Sequence, residues 1–241
     1  MNNKTIVIIP TYNEIQNISR IIDLVISEDK NIDVLVVDDN SPDGTSSIVS
    51  QKEVIFKNRV FLIKRLDKKG LGTAYIEGFR WALKRKYDFI VSMDADFSHN
   101  PSELTKMIKY FSNGVDVVVG SRYLNGVSVV NWPIGRIFLS YIAQIYVRLI
   151  TGMPINDPTS GFVAYSKESV NALNLDKFRF IGYAFQIEMK YKIWKKKFKL
   201  KEHQIIFMNR ELGESKLDKK IILEAVFGVL KLRLDSVLKR L

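Results

Sequence analysis

Residues 5–37 read TIVIIPTYNEIQNISRIIDLVISEDKNIDVLVV, and this stretch decides the fold. Two runs rich in β-branched residues, Thr5–Pro10 and Asp33–Val37, have the composition of buried strands. Between them, Glu14–Ile26 carries apolar residues at helical spacing. A strand, a helix and a second strand in this order predict the βαβ unit of a parallel sheet.

The same alternation continues further along the chain. Strand-like runs occur at Val60–Lys64, Asp88–Met93 and Val115–Val119. Segments with helical spacing of apolar residues occur at Thr45–Lys52, Leu71–Lys86 and Pro101–Phe111. Ser41 or Asp43 and Asn100 are predicted helix caps, with Pro101 at a first helical position. The chain is therefore predicted to be an α/β protein with a mostly parallel central sheet flanked by helices.

The alternation stops after Val119. Pro133–Thr151 predicts a long helix, and a loop over residues 153–162, a helix near Tyr183–Lys196 and a strand-like segment 199–210 follow. We interpret these segments as additions that complete a site above the sheet. We predict one catalytic domain over residues 1–218 and an amphipathic helix over residues 219–241.

The composition limits the class of protein. The chain has 241 residues, no cysteine and a formal net charge of +11. Without cysteine there is no disulfide or thiolate metal site, and a reducing cytoplasm is suitable. The charge favours an anionic partner: nucleic acid, an acidic membrane surface or phosphorylated substrates. The N-terminal apolar run is too short for a signal peptide, and no run of about 18 uninterrupted apolar residues occurs, so we expect peripheral membrane contact.

Polar clusters follow three predicted strands, at Pro10–Glu14, Val37–Thr45 and Asp94–Asp96. Ligands of open α/β sheets bind beyond the carboxyl ends of the strands, so these clusters predict the site. Asp94 and Asp96 flank one small residue and can both approach Mg²⁺, which commonly takes one or two carboxylates plus substrate phosphates. Asp43 is more typical of a turn or helix cap.

Six motifs, in order and spacing, resemble those of the dolichyl-phosphate mannose synthase group of glycosyltransferase family 2. They are PTYNE (10–14), DDNSPDGT (38–45), GLGTA (70–74), MDADFSHNP (93–101), GSRY (120–123) and GESK (213–216). The resemblance implies a GT-A fold. It also implies inverting transfer of mannose from GDP-mannose to a dolichyl or undecaprenyl phosphate, with Mg²⁺ or Mn²⁺, to give polyprenyl phosphate β-mannose.

The resemblance further implies roles for individual residues. Those that hold the nucleotide-sugar are Pro10, Tyr12, Glu14, Val37, Asp39, Asp94, Ala95, Asp96, Arg210 and Lys216. Tyr12 offers a ring for stacking, and Glu14 or Asp39 can accept hydrogen bonds from ribose hydroxyls or base N–H groups. Asp94 and Asp96 are the implied metal ligands, Asp96 the more direct, and Ser98 is a further one through its hydroxyl or a water.

The segment Ile134–Ile150 carries a separate signal. One polar stripe recurs along it every four residues, and its members are Arg136, Ser140, Gln144 and Arg148. One interpretation is a core helix whose narrow polar seam faces solvent. The other is a helix at the bilayer surface that offers an arginine to a lipid phosphate. The resemblance favours the second, because it implies that Arg136 and Ser140 bind the acceptor phosphate. It also places Arg122 in the active site, where we expect this arginine to bind the same phosphate.

The C-terminal segment is amphipathic as well. Its apolar stripe comprises Leu223, Phe227, Leu230, Leu234, Leu238 and Leu241. Packing on the domain and lying on anionic lipid explain such a stripe about equally well. Asp157 stands where more distant relatives have a base, but a phosphate acceptor is already ionised, so we interpret Asp157 as shaping the site. Gln186 and Glu188 are expected to line the same cavity, and His99 to shape the acidic turn.

The predicted reaction is a single in-line displacement with Asp94, Asp96, Arg122 and Arg136 as catalytic residues. A cation held by Asp96 and Asp94 neutralises the leaving diphosphate, and Arg210 and Lys216 share its charge. Arg122 and Arg136 place the acceptor. We expect the protein at the cytoplasmic face of a membrane, on an anionic surface, with a membrane-protein partner possible and nucleic acid not expected.

Three alternatives remain open. The nearest is a polyprenyl-phosphate glucosyltransferase, or a transferase of another sugar from a UDP donor. A receiver-type module would explain the acidic pair in VVDD, but it carries that pair after its first strand and is about half this length. A basic nucleic-acid-binding protein would explain the charge but not the combination of motifs.

Overall fold

A seven-stranded mixed sheet forms the centre of the protein. The computed structural model describes residues 3–182, 184–209 and 219–238. The strands of this sheet are β1 Thr5–Thr11, β2 Ile32–Asp38, β3 Val60–Lys64, β4 Phe89–Ser92, β5 Val117–Ser121, β7 Val163–Ser166 and β8 Leu200–Gln204, and a separate parallel pair comprises β6 Val129–Val130 and β9 Phe207–Met208. The order in the sheet is β3-β2-β1-β4-β7-β5-β8. β7 is antiparallel to β4 and β5, and the other pairings are parallel.

Helices cover both faces of the sheet. Within the described residues they are α1 Ile18–Glu28, α2 Thr45–Ile55, α3 Leu71–Lys84, α4 Leu104–Lys109, α5 Ile134–Thr151, α6 Lys167–Asn171, α7 Ala184–Lys195 and α8 Lys219–Val237. Short 3₁₀ turns flank α4 at Pro101–Glu103 and Tyr110–Asn113. The Asn100 side chain accepts a hydrogen bond from the Ser102 amide at 3.1 Å, which confirms the predicted cap.

Each face of the sheet carries its own apolar core, because side chains alternate along a strand. In β1, Ile6 and Ile8 join one core together with Phe79 of α3, whereas Val7 and Ile9 join the other. All four β1 side chains are fully buried. Burial on both faces explains why the strands read as continuous apolar runs.

The structure confirms the predicted fold class and, to within two residues at each end, the five predicted strands. α1 begins at Ile18 instead of Glu14, because the amides of Asn17 and Ile18 close a turn on the Glu14 carbonyl at 3.0 and 2.9 Å. The strand-like segment 199–210 divides into β8 and β9, because β9 leaves the main sheet to pair with β6.

Loops from parallel and antiparallel strands meet at one edge of the sheet. The carboxyl ends of β1, β2, β4 and β5 lie at this edge because these strands point the same way. β7 points the opposite way, so the loop that precedes it, residues 156–162, arrives at the same edge. The antiparallel strand therefore brings Asp157 beside the ends of the parallel strands.

The C-terminal helix α8 lies against α5 and the segment before α7. Tyr146 Oη of α5 donates to the Val226 carbonyl at 2.9 Å, and a Cβ added at Gly228 would lie 2.6 Å from the Phe180 ring. Val229 and Leu232 are the buried apolar side chains of the described part of α8. The predicted stripe instead faces solvent where its side chains are described, with Phe227, Leu230, Leu234 and Leu238 at 45% exposure or more. Leu241 lies outside the described residues.

Candidate active site

The carboxyl ends of β1 and β2 are tied together by the Asp38 carboxylate. Asp38 is fully buried and accepts hydrogen bonds from Thr11 Oγ1 at 2.8 Å and from the Ser41 amide at 3.0 Å. Asn13 takes a left-handed conformation with φ +60°, and its amide donates to Ser41 Oγ at 3.0 Å. Asp38 thus shapes the loops that surround the site.

The N-cap of α2 is Gly44 and not the predicted Ser41 or Asp43, but Asp43 accepts a hydrogen bond from the amide of Thr45, the first residue of the helix. One carboxylate oxygen accepts from the amide and hydroxyl of Thr45 at 2.9 and 2.6 Å, and the other accepts from the Ile15 amide at 3.0 Å. Burial alone would raise the pKa of Asp43, but these hydrogen bonds hold that pKa below its ordinary value. The side chain therefore joins the loop after β1 to the start of α2.

The residues predicted to hold the base and ribose end of the nucleotide gather where β1 and β2 end. Pro10 and Val37 are register partners across the two strands. Lys68 Nζ lies 4.0 Å from the centroid of the Tyr12 ring, so this ring already holds a cation on one face. Glu14 accepts a hydrogen bond from Asn17 Nδ2 at 2.9 Å.

Arg65 holds Asp39 in place through a buried ion pair. Arg65 Nη1 lies 2.7 Å from Asp39 Oδ1, and the side chains are only 6% and 8% exposed. Burial raises the pKa of Asp39, while Arg65 and the amides of Lys69 and Gly70 act against that rise. The carboxylate is thus oriented before any ligand arrives.

The acidic turn after β4 holds its two carboxylates in different ways. Asp96 is 8% exposed, and its Oδ1 accepts hydrogen bonds from Ser98 Oγ at 2.5 Å and from the Ser98 amide at 3.2 Å. The Asp94 side chain is 36% exposed, and Tyr75 Oη donates to its Oδ1 at 3.4 Å. Ser98, predicted as a metal ligand, is placed to orient Asp96.

This donor set fits a hard cation that is shared with a substrate. Mg²⁺ commonly binds one or two carboxylates and completes its shell with phosphate oxygens and waters. In the part of the chain that the structure describes, no group of three or more histidine, aspartate or glutamate side chains is arranged to hold a metal by itself. Asp94 and Asp96 would therefore hold a cation together with a diphosphate.

His99 shapes the acidic turn. Its ring is 2% exposed and stacks on Phe162 with 5.0 Å between centroids. Burial lowers the pKa of His99 in spite of the nearby Asp94 and Asp96, so the ring is neutral and accepts the Asp94 amide on Nδ1 at 3.1 Å. A Cβ added at Gly161 would lie 3.7 Å from Asp94 Oδ2, so the loop before β7 passes close to the acidic turn.

Arg122 and Asp157 form a buried bidentate ion pair. Arg122 Nε and Nη2 each lie 2.7 Å from a different oxygen of Asp157, and the Arg122 amide donates to Asp157 Oδ2 at 3.0 Å. Nη2 also donates to Thr159 Oγ1 at 2.8 Å. Burial would raise the pKa of Asp157, but the Arg122 guanidinium holds that pKa below its ordinary value. Asp157 is thus an ionised partner of Arg122, in agreement with its interpretation as a site-shaping residue.

The three residues predicted to bind the acceptor phosphate are connected through two aromatic rings. The Arg122 and Arg136 guanidinium carbons lie 5.8 and 4.0 Å from the centroid of the Trp132 ring. Tyr123 Oη donates to Ser140 Oγ at 2.8 Å, and the Arg122 guanidinium lies 5.5 Å from the Tyr123 ring. The structure thus brings Arg122, Arg136 and Ser140 into one cluster.

Part of the polar stripe of α5 is turned toward the protein: Gln144 is buried, Arg136 and Ser140 are half-buried, and Arg148 is exposed. Its four members, Arg136, Ser140, Gln144 and Arg148, form hydrogen bonds of 2.7 to 3.2 Å with Asn209, Tyr123, Thr159 and Asn156, respectively. The apolar residues face outward instead, with exposure of 41% or more at Ile134, Phe138, Leu139, Tyr141, Ile142, Ile145 and Leu149. The core-helix interpretation is wrong, because the apolar surface is left uncovered, whereas Gln144 is buried and Arg136 and Ser140 are half-buried.

The length and apolarity of α5 also meet the requirements for a membrane span. It is the one helix among the described residues that does so, and 17% of its 18 residues are buried. Its polar stripe is bonded to the domain. This arrangement is typical of a helix that lies along a surface.

Of the predicted site residues that follow α6, the structure describes Gln186 and Glu188 only. Arg210 and Lys216 lie outside the described residues. Glu188 Oε2 accepts from the amides of Arg179 and Phe180 at 3.1 and 3.2 Å, so Glu188 holds the segment before α7. Gln186 is 2% exposed, and within the described residues its amide oxygen and nitrogen have no hydrogen-bond partner.

Several residues of the site escaped sequence analysis, namely Arg65, Tyr75, Thr159, Lys190 and Glu202. Glu202 accepts from the Asp157 amide at 2.9 Å, although the two lie 45 residues apart, and no local pattern marks such a pairing. Lys190 had a usable signal, because it lies four residues after Gln186 and so shares a face of α7 with it.

Solved structures of a glycosyltransferase share this architecture. Glucosyl-3-phosphoglycerate synthase from Mycobacterium tuberculosis, in complex with phosphoglyceric acid, gives a TM-score of 0.71 at 16% identity, over 95% of this chain and 80% of its own. The same enzyme with Mn²⁺, UDP-glucose and phosphoglyceric acid gives a TM-score of 0.69 at 17% identity, over 96% and 79%. The chain therefore has a GT-A-like fold, the fold of a glycosyltransferase.

The sequence comparisons define the family. The model of glycosyl transferase family 2 matches residues 6–173. The protein is a glycosyltransferase and belongs to family 2, which argues against a receiver-type module and a nucleic-acid-binding protein.

Three relatives confirm the resemblance found in the motifs. Polyprenol monophosphomannose synthase from Mycolicibacterium smegmatis is 41% identical over 94% of this chain and 85% of its own length. Undecaprenyl-phosphate mannosyltransferase from Micrococcus luteus is 39% identical over 94% and 92%. Dolichol-phosphate mannosyltransferase from Pyrococcus furiosus is 38% identical over 95% of this chain and 63% of its own length.

Proposed function

We propose that this enzyme transfers mannose from GDP-mannose to the phosphate of a polyprenol, with inversion at the anomeric carbon, to give polyprenyl phosphate β-mannose. The three relatives at 38–41% identity carry names that describe mannose transfer to a polyprenyl phosphate. The observation that carries the proposal is the partly buried polar stripe of α5, which joins the arginine cluster beneath an uncovered apolar surface.

The acceptor phosphate binds at Arg122, Arg136 and Ser140. Guanidinium groups match phosphate oxygens and form short, charge-assisted hydrogen bonds with them. Trp132 lies against both arginines and restricts their movement. Asp157 fixes the plane of the Arg122 guanidinium through two hydrogen bonds of 2.7 Å.

The polyprenyl chain stays in the bilayer, and the enzyme lies on the cytoplasmic surface. α5 and α8 contact each other and both expose apolar side chains, among them Phe138 at 66% and Phe227 at 67%. Such faces bind the boundary between headgroups and acyl chains. The net charge of +11 favours an anionic leaflet.

The donor binds at the ends of β1, β2 and β4. Tyr12 stacks on the base after Lys68 moves from its ring, and Asp39 and Glu14 accept hydrogen bonds from the base and ribose. Asp94 and Asp96 would hold Mg²⁺ or Mn²⁺, and the bound ion would supply positive charge beside the departing diphosphate. Arg210 and Lys216 also contact the diphosphate in this proposal.

The chemistry needs little from the protein beyond position and charge. An acceptor phosphate oxygen attacks C1 of mannose, the bond from C1 to the diphosphate oxygen breaks, and GDP leaves with the electron pair. The acceptor is ionised at neutral pH, so no side chain has to remove a proton. Asp157 accordingly orients Arg122 and does not act as a base.

The acceptor assignment is tested by kinetics on two arginines of α5. Arg136→Ala should raise the KM for a short polyprenyl phosphate by about 10- to 100-fold, the effect of losing a hydrogen bond to a charged group. The KM for GDP-mannose should stay within about two-fold, because in this proposal Arg136 binds the acceptor phosphate and not the donor. Arg148→Ala, at the other end of the same stripe, is the matched control and should change neither constant. Equal effects of the two variants on the acceptor KM would overturn the assignment.

A further inference from the structure

A lysine is buried beneath the loop that holds Arg122. Lys190 of α7 is fully buried, and its Nζ donates to the Ser160 carbonyl at 2.7 Å. Lysine is rarely buried to this extent, because its ammonium group loses hydration. The proposed reaction does not use this residue.

Ser160 belongs to the turn that begins at Asp157. The Ser160 amide donates to the Asp157 carbonyl at 3.3 Å, and Ser160 Oγ donates to the Gly120 carbonyl at 2.6 Å. Asp157 and Thr159, both in this turn, accept hydrogen bonds from Arg122. Lys190 therefore holds one end of a turn whose side chains orient the arginine.

Other elements hold the same turn from other sides. Glu202 of β8 accepts from the Asp157 amide at 2.9 Å, and Gln144 Nε2 of α5 donates to Thr159 Oγ1 at 2.7 Å. Lys190 is the contribution from α7. The side chains of this turn accept hydrogen bonds from Arg122, all shorter than 3 Å.

The charges around Lys190 make it sensitive to an anion at Arg122. Burial lowers the pKa of Lys190 to about 7. The Asp157 carboxylate acts to raise this pKa, and the Arg122 guanidinium acts to lower it further. Glu202 lies behind Asp157 on the side of β8. An anion that binds Arg122 offsets its positive charge, and this favours the protonated form of Lys190.

We propose that Lys190 is a positioning residue for the acceptor: it holds the Asp157–Ser160 turn, and through this turn it holds Arg122. The inference rests on the proposed function, because it takes Arg122 as a ligand of the acceptor phosphate. Since an anion at Arg122 favours protonated Lys190, acceptor binding near pH 7 should take up protons at Lys190.

The test compares Lys190→Met with Lys195→Met in the full-length protein. Methionine keeps the length of the side chain but removes the hydrogen bonds and the charge, and Lys195 is an exposed residue of the same helix. Lys190→Met should raise the acceptor KM by about five-fold or more, the effect of losing one hydrogen bond, and leave the donor KM within about two-fold. Lys195→Met should behave as the unmodified protein does.

Proton uptake on acceptor binding distinguishes the proposal from a purely structural role. If Lys190 were only structural, its substitution would leave the proton uptake unchanged. Binding of a short polyprenyl phosphate is measured by calorimetry at pH 7 in two buffers of different ionisation enthalpy. The lipid phosphate itself titrates near pH 6, so the relevant quantity is the difference between variant and control. We expect proton uptake to fall in Lys190→Met and to persist in Lys195→Met.

A second variant, Lys190→Gln, keeps the test valid if Lys190→Met does not fold. Lys190→Gln keeps a hydrogen-bond donor but cannot titrate, so it should retain an acceptor KM close to normal and lose the extra proton uptake. A folded Lys190→Met or Lys190→Gln protein with the proton uptake of the control would overturn the inference alone. Failure of the unmodified protein to transfer sugar to polyprenyl phosphate would overturn the proposed function, and this inference with it.

Discussion

Removal of the Asp157 carboxylate should strongly destabilise the protein. Asp157 is fully buried and accepts three hydrogen bonds from Arg122, at 3.0, 2.7 and 2.7 Å. The loss of one partner from a buried pair leaves an uncompensated charge, which costs about 3–5 kcal/mol. Each kcal/mol lowers the Tm of a domain of this size by about 2–4 °C, so Asp157→Ala should lower the Tm by roughly 6–20 °C.

The assay is urea unfolding at pH 7 with Thr159→Val as the control. Thr159 Oγ1 accepts hydrogen bonds from Arg122 at 2.8 Å and from Gln144 at 2.7 Å, and loss of the one from the charged Arg122 alone should cost about 1.5–3 kcal/mol. If Asp157→Ala lowered the free energy of unfolding by less than about 1 kcal/mol, the reasoning would be refuted, because a loss of that size is expected of an exposed ion pair.

The pH dependence of unfolding follows from the same pair. Arg122 holds the pKa of Asp157 below its ordinary value of 3.8, so the pair stabilises the folded state above that pH. The stabilisation by this pair is lost progressively as the pH falls from 3.8, the pKa in the unfolded state, to the lower pKa that Asp157 has in the folded state. The free-energy difference between the unmodified protein and Asp157→Ala should therefore be constant near neutrality and shrink in acid.

Three further predictions concern the metal, the membrane and the donor. Asp96→Ala should reduce sugar transfer by at least about 100-fold at saturating Mn²⁺, as the loss of charge stabilisation does, and near-normal transfer would contradict its role. Phe138→Glu combined with Leu149→Glu should abolish sedimentation with anionic vesicles, because burial of each apolar side chain contributes about 1.5–3 kcal/mol, while Val54→Glu on α2 should have no effect. Tyr12→Ala should raise the donor KM by about 5- to 100-fold through loss of base stacking, and an unchanged donor KM would place the base elsewhere.

The strands and most helices could be predicted because their signals are local. β-branched runs such as Asp33–Val37 report burial on both faces, and the Asn100-Pro101 pair marks a helix start through its own side chains. The strand order could not be predicted in this way. β7 pairs in an antiparallel sense between β4 and β5, and no pattern within Val163–Ser166 specifies this position.

The periodicity of α5 predicted a two-sided helix but not which side is buried. An amphipathic pattern is ordinarily buried on its apolar side. In α5 the apolar side is exposed, and Arg136 and Gln144 on the polar side bond to Asn209 and Thr159, which are distant in sequence. The contacts of Arg122 were hidden for the same reason, because its partner Asp157 lies 35 residues away.

The most direct measurement is a transfer assay with two donors. The purified protein is incubated with Mn²⁺ and a short polyprenyl phosphate, with GDP-mannose in one reaction and UDP-glucose in the other. The account predicts polyprenyl phosphate β-mannose from GDP-mannose and little or no product from UDP-glucose. Product from UDP-glucose alone, or an α-linked product from GDP-mannose, would contradict it.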